Sequence, residues 1–411
     1  MPRFEPFAGV RYDLDRLSLD GMALDDVVAP PYDVIGPEEQ SALEARSPYN
    51  VVRVDLPRDA GAGGDRYSVA GALLDEWLAA GVLRTDPEPG FYAYRMGYHD
   101  VDGHSRQIAG VLGALELVTP GEGDVLPHEE TQSKVRDDRL RLLRACRADL
   151  SPVWGLSMAQ GLSELCGATP GGPVARCTDE EGVHHRLWRL TQPGVVEAVT
   201  ATVGSAPVVI ADGHHRYSVA LAHRDEVRAA KGRIRGDEDL LLALVCELGD
   251  SQAGVRPIHR LVSGLAPGFD LLAALEPFFD PVADAGPAST LPERMAEAGG
   301  LGLVVGADQA WLLLPRAGAG AGDPEHGTPP DAALLDAALA TLPDHTLGFE
   351  HSLDSVLAHV GSGKASAGVL LRPVDVHEIA RTALAGRRMP TKTTFFHPKP
   401  RTGMVFRRLG D

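Results

Sequence analysis

The stretch VVIADGHHRYSVALAH, Val208–His223, passes from an apolar strand pattern to a helix pattern through Asp212, Gly213, His214, His215 and Arg216. A strand that turns tightly into a helix leaves backbone N–H groups unpaired, and the helix dipole adds partial positive charge there. Phosphates bind at such ends. Gly213 lets the backbone bend and approach a ligand closely. Arg216 offers a planar fork for phosphate oxygens, and His214 and His215 can donate to the same oxygens. Asp212 suits this setting as a Mg²⁺ ligand, or as the partner that orients a histidine.

Strand and helix patterns alternate along the whole chain on both sides of this stretch, which predicts an α/β fold. SPVWGLSM, GVHHRLWRL and LLALVCEL read as strands, and FYAYRMGYHDVDGHSRQIAGVLGALELV reads as a hairpin around Asp102-Gly103. DRYSVAGALLDEWLAAGVL reads as an amphipathic helix ending near Gly81. DDRLRLLRACRADL reads as a helix opened by Asp137 or Asp138, and NVVRVDL alternates like a strand. Gly36-Pro37 suits a helix start after the extended Pro30-Pro31 segment. AGVLLRPVDV and HEIARTALAG read as a strand and a helix, and LPRAGAGAGDPEHGTPPD as a surface loop. Three segments are expected: 1–120, a core at 121–263 carrying the turn, and 264–411 with a basic tail.

The chain has 411 residues and a formal net charge of -18, from 57 acids against 39 bases. That balance argues against nucleic acid and anionic membrane as partners. No apolar run approaches the roughly 20 residues of a membrane helix. The start, MPRFEPFAGVRYD, lacks a basic segment followed by an apolar core, so no secretory signal is expected. Cys146, Cys166, Cys177 and Cys246 form no C-x-x-C pair. A reduced cytoplasmic protein is the expectation.

A catalytic transition metal finds little support, because His214 and His223 are not at the i, i+4 spacing of helical zinc sites. GSGK at Gly361–Lys364 lacks the preceding glycine of a P-loop and the Ser or Thr after the lysine, and reads as a turn. The tail from Arg387 onward holds seven Arg or Lys and one acid. It either closes over phosphates, through Lys392 and Lys399, or anchors the terminus on an acidic body.

The strand–DGHHR–helix unit resembles the hallmark of free-serine kinases in the ParB/sulfiredoxin-like superfamily. LPHEETQSKVRDDRLRLLRACRADLSPVWGL resembles the segment that precedes DGHHR in those kinases. The resemblance implies a ParB/sulfiredoxin-like mixed core with additional N- and C-terminal α/β segments. It implies a donor phosphate on the turn and a general base at Glu129, with Glu130 the alternative. APPYDVI, SPYNVVRVDLP, PHEETQSKVRDDRL, IADGHHRY, PIHRL and MPTKTTFFHPKP, in that order, are similar to a family of unknown function and cover most of the chain.

The reaction expected is phosphorylation of free L-serine by pyrophosphate, ADP or ATP, with the tail favouring pyrophosphate. Mg²⁺ is the expected cofactor. Glu129, Asp212 and His214 are the candidate catalytic residues, with Asp212 also the candidate metal ligand. Gly213, His214, His215, Arg216, Thr131, Lys134, Arg139, Lys392 and Lys399 are candidates for phosphate, and Arg136 for charge compensation. Tyr32, Asp33, Asn50 and Arg53 are candidates for the amino acid, Asp33 for its ammonium and Arg53 for its carboxylate. A nucleotide-binding ParB-like module, or a hydrolase using the same phosphate cradle, are the alternative readings.

Overall fold

The strand Val208–Asp212 is buried from Val208 to Ala211. Strands buried on both faces read as continuous apolar runs, which is why no alternation marks it in the sequence. It is interior to a nine-stranded sheet. From one edge the order is Val125–Pro127, Val208–Asp212, Val153–Ser157, Leu240–Glu247, Ser105–Glu116, Phe91–His99, His184–Leu190 and Ala175–Thr178, with Phe4–Glu5 also beside Ser105–Glu116. The sheet is mixed. Val125–Pro127 runs parallel to Val208–Asp212, and Val153–Ser157 parallel to Leu240–Glu247; its other pairs are antiparallel. The protein is thus of mixed α/β class.

This computed structural model describes the chain except residues 60–63, 101–102, 130–132, 170, 233–234, 250–253, 283–285, 307–308, 317–330 and 411, and the side chains of 133–135. The chain divides into two units. The first holds Met1–Gly254, Ala383–Gly386 and Pro398–Asp411; the second holds Val255–Thr382 and Arg387–His397. The segments 1–120 and 121–254 share the large sheet, because Ser105–Glu116 pairs directly with Leu240–Glu247. The core of the first unit gathers Phe4, Phe91, Val111, Leu162, Val208, Ile210 and Val245. Each fully buried side chain of this kind contributes about 1.5–3 kcal/mol relative to exposure.

The second unit is built on a six-stranded antiparallel sheet. Its order is Phe279–Val282, Gln309–Pro315, Leu301–Val305, Ala367–Leu370, His259–Ser263 and Thr346–Glu350. Phe279, Leu303, Leu313, Leu335 and Val369 form its main core. GSGK is a turn after the helix Leu353–Gly361, with Gly363 at φ 72° and Lys364 N–H donating to His359 O at 3.0 Å. Most of LPRAGAGAGDPEHGTPPD, and Asp102 of the hairpin turn, lie outside the described residues.

Two sequence expectations need correction. NVVRVDL is not a strand: Val52–Asp55 is a short helical turn. Asn50 decides this. Its Nδ2 donates to Asp26 O and Val28 O at 2.9 and 3.2 Å, and its Oδ1 accepts from Val52 N–H at 3.0 Å. Val51, Val52 and Val54 are all buried, so the alternation of the sequence has no exposed face to report. The second correction concerns the helix expected to open at Asp137 or Asp138. It begins at Ser133 and runs to Cys146.

Asn50→Ala leaves buried backbone groups without partners. It is expected to lower the unfolding free energy by about 1–3 kcal/mol. Chemical denaturation checks this, and an unchanged midpoint and slope would contradict the role given to Asn50.

Candidate functional site

At the C-terminal end of Val208–Asp212 the chain turns through Gly213, at φ 91° and ψ 25°, into the helix His214–Lys231. A bulge between Ile210 and Asp212, against Gly155 and Trp154, re-aims the strand end. The glycine is required twice. Its φ is in the left-handed region, and a Cβ there would meet the Arg216 guanidinium at 3.1 Å. Arg216 therefore lies folded across the turn that opens its own helix.

Asp212 is the hub of this end of the sheet. Lys399 Nζ donates to Asp212 Oδ1 at 2.5 Å, and Arg216 Nη2 donates to Oδ2 at 2.8 Å. Arg216 Nη1 also donates to Pro152 O and, at 3.3 Å, to Ser151 Oγ. A guanidinium carries five N–H donors. The Nε–H and one Nη2–H of Arg216 remain for an incoming oxygen among the described residues. The side chains of Asp212, Arg216 and Lys399 are 18%, 14% and 10% exposed. Asp33 Oδ2 lies 3.8 Å from Lys399 Nζ, and its side chain is 36% exposed.

The electrostatics follow from this packing. Burial alone would raise the Asp212 carboxyl, but Lys399, Arg216 and His214 hold it well below the usual carboxylate range. Burial alone would lower Lys399, but Asp212 and Asp33 keep it above its ordinary value. Arg216 is likewise raised against its burial by Asp212, Asp33, Tyr32 and Asp55. Burial pushes Tyr32 up to about 12. Asp55 is raised by burial, opposed by Arg139 and Arg216.

The glutamate loop reaches the same place by topology. Val125–Pro127 is parallel to the strand of the turn, with Pro127 opposite Ile210. His128 and Glu129 therefore leave the sheet at the edge where Asp212 and Gly213 leave it. His128 is fully buried. Its Nδ1 contacts Ile210 O at 2.6 Å, and a carbonyl can only accept, so Nδ1 carries the proton. His128 N–H donates to His214 Nε2 at 3.3 Å, and the two rings meet edge-on at 4.6 Å. Glu129 is partly buried directly after this staple. His128 was not singled out in the sequence; its signal was its place next to Glu129.

The other candidates divide into those the structure brings to the turn and those it does not. Tyr32 lies under the Arg139 guanidinium at 4.2 Å, and both line a cavity of about 60 Å³ with Asp55, Ser151 and Arg216. Arg139 is committed to Asp55 O at 2.5 Å and to Asp138 Oδ2 at 2.7 Å, so it holds the scaffold. His215 sits in the first helical turn, partly buried. Asn50 is spent on the loop described above. Arg53 donates to Ser47 O and Glu44 O at 3.3 and 2.5 Å, while Asp33 faces Lys399. Lys392 belongs to the second unit, where its carbonyl accepts from Arg260 Nη1 at 3.0 Å. Thr131, Glu130 and the Lys134 side chain lie outside the described residues, and Arg136 is exposed. Sequence reasoning missed Ser151, Pro152 and Asp55, which carry no motif of their own.

A Mg²⁺ ion at Asp212 would share both carboxylate oxygens with Lys399 and Arg216, each of which already donates to one of them. Among the described residues no group of three or more His, Cys, Asp or Glu is placed to hold a metal ion. No helix is long and apolar enough to cross a membrane, again among the described residues.

The low pKa of Asp212 predicts a pH effect. An acid depressed on folding contributes stability that is fully present above its unfolded pKa, about 3.9, and is lost as pH falls through the lower folded value. The stability advantage of the wild type over Asp212→Asn is expected to shrink as the pH falls below about 4. An advantage that stays constant down to the acid limit in denaturant titrations would contradict the ion triad.

No curated protein matches the sequence. Among solved structures, a free serine kinase in complex with AMP is similar at 12% identity and a TM-score of 0.37, covering 66% of this chain and 83% of that one. A conserved hypothetical protein from Pyrococcus furiosus is similar at 12% identity and a TM-score of 0.35, covering 66% and 87%. SbnI with C-terminal truncation from Staphylococcus aureus is similar at 11% identity and a TM-score of 0.36, covering 72% and 86%. A family model matches residues 4–338, and the chain therefore belongs to the family described as "Protein of unknown function (DUF1015)".

Proposed function

We propose that this protein is a small-molecule kinase that transfers a phosphoryl group to the hydroxyl of free L-serine, with pyrophosphate, ADP or ATP as donor. The observation that carries the reading is the parallel register of Val125–Pro127 with Val208–Ile210. It sets a carboxylate loop and a cationic turn side by side at one sheet edge. The resemblance of PHEET and DGHHR to free-serine kinases points the same way.

Phosphoryl transfer is mainly a matter of positioning and charge neutralisation. In this reading donor oxygens take the two remaining N–H groups of Arg216 and share Lys399 with Asp212. The opening N–H groups of the helix His214–Lys231 add to the cradle. The serine oxygen forms a bond to phosphorus as the bridging P–O bond of the donor breaks, and the leaving phosphate or nucleotide keeps that electron pair. Glu129 takes the hydroxyl proton. His214 acts on Glu129 from behind: its Nε2 accepts from His128 N–H, which fixes where the next residue starts. Asp33 is the acid left to meet the substrate ammonium. Arg53, whose Nε and Nη2 hold the Ser47 and Glu44 carbonyls, keeps its other N–H groups for the substrate carboxylate in this reading.

The test is incubation of the full chain with serine and each donor, following phosphoserine by phosphorus NMR. Formation of phosphoserine with at least one donor is expected. Glu129→Gln is expected to lower turnover by about 10²–10⁴-fold with little change in donor binding. No phosphoserine with any donor, or phosphate release that does not depend on serine, would overturn the reading. Near-normal turnover in Glu129→Gln would overturn the assignment of the base.

A further inference from the structure

Tyr94 and His185 are both fully buried in the large sheet. They are diagonal neighbours on one face, with His185 opposite Met96 and Leu187 opposite Tyr94. Their rings stack with centroids 5.9 Å apart. Buried polar groups are costly unless they find partners. Here the partners form one chain of contacts. Asp179 lies in the turn between Ala175–Thr178 and His184–Leu190, and its Oδ1 accepts from Glu181 N–H and Val183 N–H at 3.0 and 2.9 Å. Its Oδ2 meets His185 Nε2 at 3.0 Å, and His185 Nδ1 meets Tyr94 OH at 2.7 Å. Arg401 N–H donates to the same Tyr94 oxygen at 3.2 Å.

The proton positions follow. A backbone N–H can only donate, so Tyr94 accepts from Arg401 and its own proton is left for His185 Nδ1. His185 then carries its proton on Nε2 and donates it to Asp179. Burial keeps His185 below its ordinary pKa against the pull of Asp179, which favours this neutral form. Burial alone would raise Asp179, but hydrogen bonds from His185 and Val183 N–H hold it below the usual carboxylate range.

The chain of contacts ends on the tail. Arg401 follows Pro398-Lys399-Pro400. Pro400 has no N–H to give, so Arg401 carries the first backbone donor after Lys399. The two prolines fix φ on either side of Lys399, and Pro400 holds Lys399 itself to extended backbone. The main chain at Lys399 is therefore set by where Arg401 is held. Arg401 Nη2 donates to Glu180 Oε2 at 3.2 Å, and Thr402 N–H donates to Ala29 O at 2.9 Å, which fixes the next step of the chain. From this main chain Lys399 Nζ reaches Asp212 Oδ1 at 2.5 Å. A relay that served only the sheet would end within it.

We propose that Tyr94, backed by His185 and Asp179, is a positioning residue: through Arg401 it sets Lys399 on Asp212, and so shapes the grip on a phosphate donor. The setting of Lys399 rests on the contacts alone, and its effect on a donor rests on the kinase reading.

Acetylation of the full chain, with each lysine followed by peptide mass spectrometry, tests the setting of Lys399 without a donor. In the wild type Lys399 is expected to react more slowly than the exposed Lys231 and Lys364. Tyr94→Phe keeps the ring and removes the hydroxyl. Lys399 is then expected to react about fivefold faster or more, the lower end of the weight of a buried group left unpaired, with Lys231 and Lys364 unchanged. Tyr92→Phe removes an equally buried hydroxyl from the same strand, bonded to Asp86 Oδ2 and Gly9 N–H, and is expected to leave Lys399 as in the wild type. Asp179→Asn, which puts one amide oxygen where the carboxylate uses two, is expected to speed the reaction as well, and carries the test if Tyr94→Phe does not fold. Unchanged labelling of Lys399 in the folded variant, or an equal rise in Tyr92→Phe, would overturn the proposal. Calorimetry with pyrophosphate and ADP reads the effect on a donor. Tyr94→Phe is expected to weaken binding about fivefold or more in the wild-type background and to change nothing further in Lys399→Met. Equal losses in both backgrounds would overturn the positioning role. A wild type that binds neither donor overturns the kinase reading instead, and the labelling alone then decides what holds Lys399.

Discussion

The rest of the first unit depends on a single carboxylate. Asp212 is largely buried, and a buried charge without partners is strongly destabilising. Arg216 comes from the same helix start, but Lys399 lies 187 residues further along the chain. Satisfying Asp212 therefore obliges the C-terminal segment to return to the large sheet. The return is built in: Thr402 pairs with Ala29, Phe406 with Val10, and Arg407 with Asp149. Arg407 Nη1 also reaches the Asp149 carboxylate at 3.1 Å. The basic tail is thus both an anchor and, through Lys399, part of the cationic end of the sheet.

A second constraint fixes what stands next to that carboxylate. The edge strand Val125–Pro127 is only three residues long, and short edge strands are weakly held by their own ladder. His128 compensates. One ring N–H closes on Ile210 O and the backbone N–H closes on His214. The result places two loops of opposite charge, distant in sequence, on one sheet edge. That juxtaposition, more than any single side chain, makes phosphoryl transfer to a hydroxyl a coherent reading of the site.

Much of this was legible in the sequence, for identifiable reasons. DGHHR interrupts two apolar runs with five residues of special chemistry, and the strand, turn and helix fall where that pattern puts them. The helix Arg66–Ala79 and the hairpin strands Phe91–His99 and Ser105–Glu116 were equally open, because long periodic segments carry their own signal. NVVRVDL was misread because alternation implies an exposed face, and here tertiary burial removes it. Asn50 serves its own backbone rather than a ligand, a difference the sequence does not show, because a polar residue in a loop looks the same in either role. The partnership of Asp212 with Lys399 could not be read at all, since nothing local ties those two positions.

The central claim is that Lys399 and Arg216, held on Asp212, form the cationic grip for a phosphate donor. Calorimetric titration of the wild type and of Lys399→Met with pyrophosphate and with ADP tests it most directly. The account predicts saturable binding of at least one donor by the wild type, weakened roughly 10- to 150-fold in the variant, as expected for a charged hydrogen bond worth about 1.5–3 kcal/mol. Equal affinity in the two proteins, with the variant folded by circular dichroism, would contradict it.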